Sequence, residues 1–283
     1  MTRTRSLLLT ACAMLAFAGN SLLCRLALRH TAIDAASFTS VRLVAGALTL
    51  WLLLQWRPSG QAGANSQGNW ISAAALCAYA AGFSWAYVHL SAATGALLLF
   101  GAVQATMVGH GLWAGERLRP LQSLGVLLTL AGLLALLLPG LAAPPLVSAL
   151  LMLGAGVAWG VYSLRGKGAG DPLAVTAGNF VRAVPLALAV SAASYTHLSL
   201  DTAGLLYAVA SGALASGIGY AIWYTALPTL SSTAAASVQL SVPVLAALGG
   251  IALLGESASL RLVLASVAVL GGIGLVIWQK RRV

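Results

Sequence analysis

The chain has 283 residues, of which 60% are apolar and only 7% are Asp, Glu, Lys or Arg. Roughly 25% of residues are charged in an average soluble domain, so this composition excludes a water-soluble globule, a disordered chain and a secreted disulfide scaffold. The net charge is +10, and the basic residues lie between apolar runs, where they act as topology signals rather than as a nucleic-acid footprint. We therefore expect an integral membrane protein that sits in a lipid bilayer and has no nucleic-acid partner.

Apolar runs separated by polar breaks predict an all-α protein with ten transmembrane helices. A membrane helix needs about 20 residues, so ten of them leave room for short loops only. The first run begins like a signal peptide, but it continues to Leu23 and is expected to be a retained helix. The predicted helices cover residues 6–27, 35–56, 70–90, 92–114, 121–139, 146–165, 172–195, 203–227, 232–254 and 260–279.

The three cysteines, Cys12, Cys24 and Cys77, all lie in apolar segments and show no CxxC spacing. Such a pattern is typical of small buried apolar residues, and it predicts neither a disulfide framework nor a metal site. No phosphate-cradling loop of the P-loop type is present either. We therefore expect no metal and no cofactor.

Basic residues in the predicted loops indicate the orientation in the membrane, because cytoplasmic loops carry an excess of Lys and Arg. The loops on the N-terminal side hold Arg3, Arg5, Arg57, Arg117, Arg119, Arg165, Lys167, Lys280, Arg281 and Arg282. The opposite side holds Arg25, Arg29 and Arg261. Both termini are therefore expected in the cytoplasm. The basic residues are 13 Arg and two Lys, and Ala, Leu and Gly are abundant, which is typical of a GC-rich bacterial genome, so we expect the inner membrane of a bacterium.

The two halves of the chain align when the sequence is shifted by 140 residues. The pair Gly115-Glu116 then falls on Gly255-Glu256, among other matches. We therefore divide the chain into two five-helix repeats, residues 1–140 and 141–283. An odd number of helices in each repeat predicts that the second enters the membrane inverted. Inverted repeats around a central cavity are typical of secondary transporters, although gene duplication without transport remains an alternative.

The residues at matching places in the two halves resemble a known family. The first helix of each half has an aromatic residue followed by a polar one, Phe17 with Asn20 and Trp159 with Tyr162. A Gly-Glu pair follows the fourth helix of each half, with a Gly-rich last helix after it. With these features the chain resembles carriers of the drug/metabolite transporter superfamily, in its EamA branch.

The resemblance covers essentially the whole chain and is strongest from Trp223 through Pro243 to Glu256. The first half departs from the pattern, because Val103 stands where the repeat has Pro243 and Phe17 stands where Trp is usual. Within the branch, the chain is similar to bacterial amino-acid exporters, including the aromatic-amino-acid exporter. The resemblance implies a ten-helix carrier that exports a small molecule, and it allows a monomer.

Polar residues in the middle of apolar spans are the first candidates for a transport site, because a carrier needs a polar cavity inside an apolar bundle. Deep aromatic residues are the second. Polar residues there can also join helices, and deep aromatic residues can bind a ring or an ammonium group or simply pack. The predicted substrate-binding residues of these two kinds are Asn20, Gln104, Trp159, Tyr162, Asn179, Tyr220 and Gln239.

Two arginines, Arg42 and Arg182, also fall inside predicted spans and on one another in the repeat. An unpaired Arg at such depth costs about 2.5–3.5 kcal/mol on insertion scales, so each must face water, carbonyl groups or an anion. We predict that these guanidinium groups bind a substrate carboxylate. The alternative is a structural Arg bonded to helix-end carbonyls.

The five acidic residues all lie at predicted span ends or in loops, so the sequence shows no carboxylate relay for protons. His89 and His110 are the other candidates for proton carriage. We therefore predict an uncoupled facilitator or exchanger. The resemblance and the two embedded arginines imply that it exports aromatic and other neutral amino acids by alternating access. Efflux of drugs or other metabolites is the alternative. A channel, a membrane enzyme and a structural subunit are the other classes, but neither a pore filter nor a catalytic motif is evident.

Overall fold

The computed structural model describes residues 3–56, 67–115, 117–138, 143–166, 171–230 and 238–280. Within these ranges the protein is helical and contains no β-strand. The helices are α1 (Arg3–His30), α2 (Ala35–Gln55), α3 (Trp70–Tyr87), α4 (Ala92–Trp113), α5 (Pro120–Leu137), α6 (Leu146–Gly166), α7 (Pro172–Ala193), α8 (Thr202–Thr229), α9 (Ser241–Leu254) and α10 (Leu260–Lys280).

Eight of the described helices are long and apolar enough to cross a membrane, namely all except α3 and α9. Helix α9 has 14 residues, which corresponds to about 21 Å against a hydrocarbon core of about 30 Å. Its predicted span begins at residue 232, and residues 232–237 lie outside the described part of the chain. Helix α3 has 18 residues, and its Trp, Tyr, Ser and Gly residues make it less apolar. The protein is thus a multi-pass membrane protein, while ten crossings remain a prediction.

Side-chain caps explain where several helices begin. A residue with an oxygen acceptor stands before each of these helices and accepts a hydrogen bond from an amide of the first turn. The capping residues are Asp34 before α2, Asn69 before α3, Ser91 before α4 and Asp171 before α7. Each lies within two residues of a start that the hydropathy pattern predicts.

Asp34 also connects two loops on the same side of the bundle. Its carboxylate accepts the Ser199 amide at 3.0 Å, and its own amide donates to the Ser199 carbonyl at 3.0 Å. Partial burial alone raises the pKa of the Asp34 carboxyl, but hydrogen bonds from Ser37, Ser199 and Ala36 outweigh burial and hold this pKa below its usual range. The start of α2 is thereby fixed to the segment that joins α7 to α8.

Helix α8 contains a π-helical stretch, Ser211–Ile218, that the sequence did not indicate. Glycines allow this stretch to pack closely on α2, because a Cβ on Gly212 would collide with the Arg42 carbonyl oxygen. Pro228, by contrast, lies in a short 3-10 turn at the end of the helix. The irregular backbone of α8 is therefore in its middle, beside α2. Such π-helical turns are frequent at functional sites.

The two halves pack by related contacts. Corresponding helices are five apart, so that α1 corresponds to α6, and in the most extensive contacts, replacing each helix of a pair by its counterpart gives a pair that also packs together. Helices α2 and α7 pack on one another, as do α5 and α10. The pair α3–α6 corresponds to α8–α1, the pair α4–α6 to α9–α1, and the pair α2–α8 to α7–α3. Two related five-helix halves predict this set of contacts, while the inversion of one half relative to the other remains a prediction.

Candidate substrate cavity

A cavity of about 390 Å³ lies in the middle of the bundle, between the two halves. Small-molecule sites have volumes of roughly 300–1,000 Å³, so it is large enough for a metabolite. Among the described residues that line it there is no Asp, Glu, Lys, Arg or His. The lining contains the aromatic side chains of Phe17, Tyr79, Phe83, Phe100, Trp159, Tyr162, Tyr220, Trp223 and Tyr224.

The cavity brings together seven of the nine residues that the sequence analysis selected for substrate binding. Helices from both halves contribute them, and uncharged amide or hydroxyl groups alternate with rings. These residues are Asn20, Gln104, Trp159, Tyr162, Asn179, Tyr220 and Gln239. Arg42 and Arg182 are not among the lining residues. The described lining is therefore mainly apolar, with several polar groups and no charged side chain.

Trp159 is at the centre of the aromatic wall. Its ring lies 4.8 Å from that of Tyr79, 5.3 Å from Tyr162 and 5.5 Å from Tyr220, measured between centroids. Phe17 extends the wall to α1, with its ring 5.6 Å from Tyr220. Because these rings belong to α1, α3, α6 and α8, the wall is shared by both halves of the chain.

Tyr79 is a lining residue that the sequence analysis did not select. It lies four residues before Phe83 and on the same helix face, and their rings are 5.4 Å apart. Phe83 lines the cavity too. A search for aromatic pairs at helical spacing would have found Tyr79, whereas the search for polar and deep aromatic residues inside the spans did not.

Asn20 joins three helices at the wall of the cavity. Its Oδ1 accepts a hydrogen bond from Ser211 Oγ at 2.6 Å, and its Nδ2 donates to Tyr79 Oη at 3.3 Å. Ser211 is the first residue of the π-helical stretch of α8. The side chain of Asn20 is thus held by both halves, and a movement of α8 against α1 would change its position.

Arg42 lies behind the aromatic wall. Only 2% of its surface is exposed, and its guanidinium carbon lies 5.5 Å from the centre of the Tyr79 ring and 5.1 Å from that of Phe83. Its Nη1 has no hydrogen-bond partner among the described residues. Attraction between the cation and the two ring faces stabilises this position. The positive charge is thereby placed one side-chain layer away from the cavity.

Arg182 and Asn179 take part in contacts within and next to α7. Nη1 of Arg182 donates to the Gly178 carbonyl oxygen, one turn earlier, at 2.9 Å. Oδ1 of Asn179 accepts the Asn69 amide at 3.0 Å, which ties the chain before α3 to α7. Asn179 therefore both lines the cavity and holds two helices together, whereas Arg182 bonds its own helix.

The cavity reaches one face of the bundle and not the other. A hydrogen bond of 2.5 Å between Ser6 and Thr229 puts the start of α1 and the end of α8 on the same face, called here the N-terminal face. Lining residues extend to that face at Gly166, Pro172 and Leu227, where α6 ends, α7 begins and α8 ends. Towards the opposite face, Tyr87, Leu97 and Leu98 are fully buried. Among the described residues, the cavity therefore extends to the N-terminal face and is closed towards the opposite one.

Comparison with known families agrees with this architecture. The model of the EamA-like transporter family matches the chain twice, over residues 4–138 and 146–278. The chain belongs to this family. The two matches lie on either side of the boundary at residue 140 that the sequence shift suggests, and EamA-like proteins are transporters of the drug/metabolite transporter superfamily.

Individual relatives extend the comparison. The uncharacterized protein PA1977 of Pseudomonas aeruginosa is 61% identical over 277 residues, which is 98% of this chain and 96% of that protein. The threonine/homoserine exporter RhtA of Salmonella typhimurium is 33% identical over 160 residues, so the match spans 54% of this chain and 53% of the exporter. A solved crystal structure superposes over all of both chains with a TM-score of 0.68 at 19% identity, which supports the fold alone.

Proposed function

We propose that this EamA-like transporter exports amino acids with neutral, chiefly aromatic side chains across the inner membrane of a bacterium. The observation that carries the proposal is the cavity of about 390 Å³ whose described lining is rich in aromatic rings and free of ionised side chains. Rings of Trp159, Tyr162 and Tyr220 offer flat faces to an aromatic side chain. Amide groups of Asn20, Gln104 and Gln239 offer hydrogen bonds to the amino and carboxylate groups.

The relatives support the broader part of the proposal. Membership of the family supports transport of a small molecule. The similarity to RhtA, a threonine/homoserine exporter, supports amino acids as the substrate class. The match spans only about half of this chain and about half of RhtA, so the substrates of that exporter are carried over here only as a proposal. The preference for aromatic side chains comes from the cavity wall and not from this relative.

Arg42 determines the orientation of the substrate in this proposal. Its guanidinium lies just behind Tyr79 and Phe83 and has an unpartnered Nη1 among the described residues. In a medium of low dielectric constant, a positive charge acts over several ångströms and favours an anionic group nearby. We infer that the substrate carboxylate points towards this wall. Arg182, which bonds the Gly178 carbonyl of α7, is kept as a second proposed contributor to carboxylate binding.

Transport follows from two conformations of a monomer with inverted halves. The cavity opens to the N-terminal face, which we assign to the cytoplasm from the excess of basic residues in the loops there. Rocking of the halves against each other would close this face and open the opposite one. The shared aromatic wall and the bonds of Asn20 lie where the halves meet, so both would be rearranged by this movement.

We propose that this movement is not coupled to protons. His89 and His110 are both exposed and do not line the cavity. Asp34, Asp171, Asp201 and Glu256, the acidic residues in the described ranges, do not line it either. The gradient of the substrate itself would then drive export.

The test is efflux from proteoliposomes that contain the purified protein and are preloaded with one labelled compound at a time. The panel consists of phenylalanine, tryptophan, threonine, homoserine and a cationic dye. The proposal predicts saturable efflux of amino acids that is faster for aromatic ones. Efflux of the dye without the amino acids would instead support drug export, which the uncharged aromatic lining also favours.

A further inference from the structure

A buried ion pair lies at the closed end of the bundle, outside the lining of the cavity. Nε of Arg25 donates to Oε1 of Glu256 at 3.0 Å, and the two side chains are only 7% and 6% exposed. Arg29 lies 3.9 Å from the same oxygen, but its side chain is 48% exposed. The Arg25–Glu256 pair is thus the inner contact of this charge cluster, and Arg29 is its outer member.

The remaining polar atoms of the pair bind backbone groups at two further helix ends. Oε2 of Glu256 accepts the amide of Ala92, the first residue of α4, at 2.8 Å. Nη1 of Arg25 donates to the carbonyl oxygens of Tyr87 at 2.8 Å and Val88 at 2.9 Å, where α3 ends. A carboxylate is favoured at a helix N-terminus and a guanidinium at a C-terminus by the helix dipole. One ion pair therefore joins the ends of α1, α3, α4 and α9.

Two glycines of α9 make this position of Glu256 possible. Gly255 adopts a left-handed conformation with φ of 63°, which ends the helix and turns the chain back. A Cβ at Gly250 would lie 2.7 Å from Oε2 of Glu256. The sequence from Gly250 to Glu256 thus forms a close fit around one carboxylate. A buried ion pair of this kind is stabilising only when such additional hydrogen bonds satisfy both charges.

The ion pair connects the two halves of the chain at the face where the cavity is shut. Helices α1, α3 and α4 belong to the first half, and α9 belongs to the second. Ser21, which lines the cavity, lies one helical turn before Arg25 on α1. Any movement that opens this face between α1 and α9 must separate Arg25 from Glu256.

We infer that Arg25, Glu256 and the Ala92 amide form a latch that holds the opposite face closed while the cavity is open to the N-terminal face. This inference rests on the proposed alternating access, but it is independent of the substrate. Breaking the latch is a required step of each transport cycle. A weakened latch shifts the protein towards the conformation that is open to the opposite face.

A cysteine in place of Ser21 can report on the latch, because Ser21 lines the closed end and is only 2% exposed. The three native cysteines are first replaced by alanine, and Ser21→Cys is then labelled with a membrane-impermeant maleimide. Spheroplasts expose the opposite face to the reagent, and inside-out vesicles expose the N-terminal face. Three variants are compared in this background: Glu256→Gln, Arg25→Gln and Arg29→Gln.

Glu256→Gln and Arg25→Gln are expected to raise the labelling rate from the opposite face about tenfold or more, since breaking one partner of a buried pair costs several times RT. Arg29→Gln removes a positive charge beside the same carboxylate without breaking the latch, and it is expected to change the rate less than about twofold, as an exposed pair contributes little. Unchanged labelling in folded Glu256→Gln protein would overturn the inference and leave the pair a purely structural contact.

A double variant provides a second test that does not depend on the stability of the single variants. Arg25→Gln and Glu256→Gln are combined in the same background, so that neither buried charge is left without its partner. The inference predicts that the double variant is labelled at Ser21→Cys from the opposite face no faster than the more reactive single variant, because the latch can be broken only once. Effects of the two substitutions that multiply in the double variant would contradict a shared latch. Absence of amino-acid flux together with the expected labelling would overturn the proposed substrate and not the latch.

Discussion

The ring of Trp159 lies 4.8 Å from the ring of Tyr79, at an angle of 48° between the planes. Trp159 belongs to α6 in the second half of the chain and Tyr79 to α3 in the first. The contact therefore crosses the boundary between the two halves and forms part of the cavity wall. A substrate held by these rings would contact both moving parts of the transporter at once.

Replacing Trp159 with alanine tests the aromatic wall. We expect Trp159→Ala to raise the KM for phenylalanine about tenfold, because a ring contact of about 0.5–1.5 kcal/mol is lost together with apolar burial. The measurement is saturable efflux from proteoliposomes. Trp113→Ala is the matched control, since Trp113 is 88% exposed on α4. Similar KM values for the two variants would contradict a substrate site at Trp159.

Arg42 is expected to act on the charge of the substrate. We expect Arg42→Met to raise the KM for phenylalanine about tenfold and to leave the KM for phenylalaninamide, which lacks the carboxylate, nearly unchanged. Thermal stability should be maintained or increased, because the variant removes a buried charge whose Nη1 lacks a hydrogen-bond partner among the described residues.

Arg182→Met is the comparison for Arg42→Met. Arg182 bonds the Gly178 carbonyl of its own helix, so we expect a loss of about 1 kcal/mol in stability and a smaller change in KM. Equal KM changes for phenylalanine and its amide in Arg42→Met would show that the guanidinium does not attract the carboxylate.

Arg165 is the residue that the shift of 140 places on Arg25. It lies at the N-terminal face, where its exposed side chain donates to Ser72 Oγ at 3.3 Å and Asn69 Oδ1 at 3.2 Å. Glu116, which the shift places on Glu256, lies outside the described residues. The relation between the halves predicts that Arg165 stabilises the conformation closed at the N-terminal face.

We therefore expect Arg165→Gln to increase labelling of Ser163→Cys from the N-terminal face, whereas Glu256→Gln decreases it. Exposed polar contacts contribute little, so loss of the bonds to Ser72 and Asn69 should not reverse the effect. Arg117→Gln, at an exposed position on the same face, is the control. A decrease in labelling for Arg165→Gln would contradict a mirrored role for this residue.

Gly212 tests the close contact between α8 and α2. A Cβ at this position would overlap the Arg42 carbonyl oxygen, so we expect Gly212→Ala to lower stability by about 1–3 kcal/mol. Gly154→Ala is the control, because nothing lies within 4 Å of a Cβ there. Thermal unfolding in detergent measures both. Equal melting temperatures would show that α8 can move away from α2 without cost.

Helix positions were largely predictable from the sequence, because long apolar runs end at residues such as Asp34 and Asn69 that both break the run and cap the next helix. The predicted start of α9 at residue 232 lies outside the described residues, so it stays a prediction. The π-helical stretch was not predictable from the sequence. Its cause is tertiary, since Ser211 and Gly212 meet α1 and α2, and small residues alone do not indicate a change of helix type.

Most of the selected lining residues could be found because a polar side chain inside an apolar span must face a polar partner or a cavity. The same argument could not show that the guanidinium of Arg42 packs on the rings of Tyr79 and Phe83 or that Arg182 bonds the Gly178 carbonyl, and their roles in substrate binding stay a prediction. Arg25 was interpreted as a loop charge, and its ion pair with Glu256 joins residues 231 positions apart. Such a contact depends on how α1 packs against α9, and composition and residue spacing do not predict this packing.

Counterflow tests the central claim most directly. Proteoliposomes with the wild-type protein are loaded with unlabelled phenylalanine, and labelled phenylalanine is supplied outside, with and without a pH gradient. We predict transient accumulation of the label that saturates with concentration and does not respond to the gradient. Uptake that requires the gradient would contradict the uncoupled mechanism. Absence of counterflow with phenylalanine and the other amino acids, in protein that transports cationic dyes, would contradict amino-acid export.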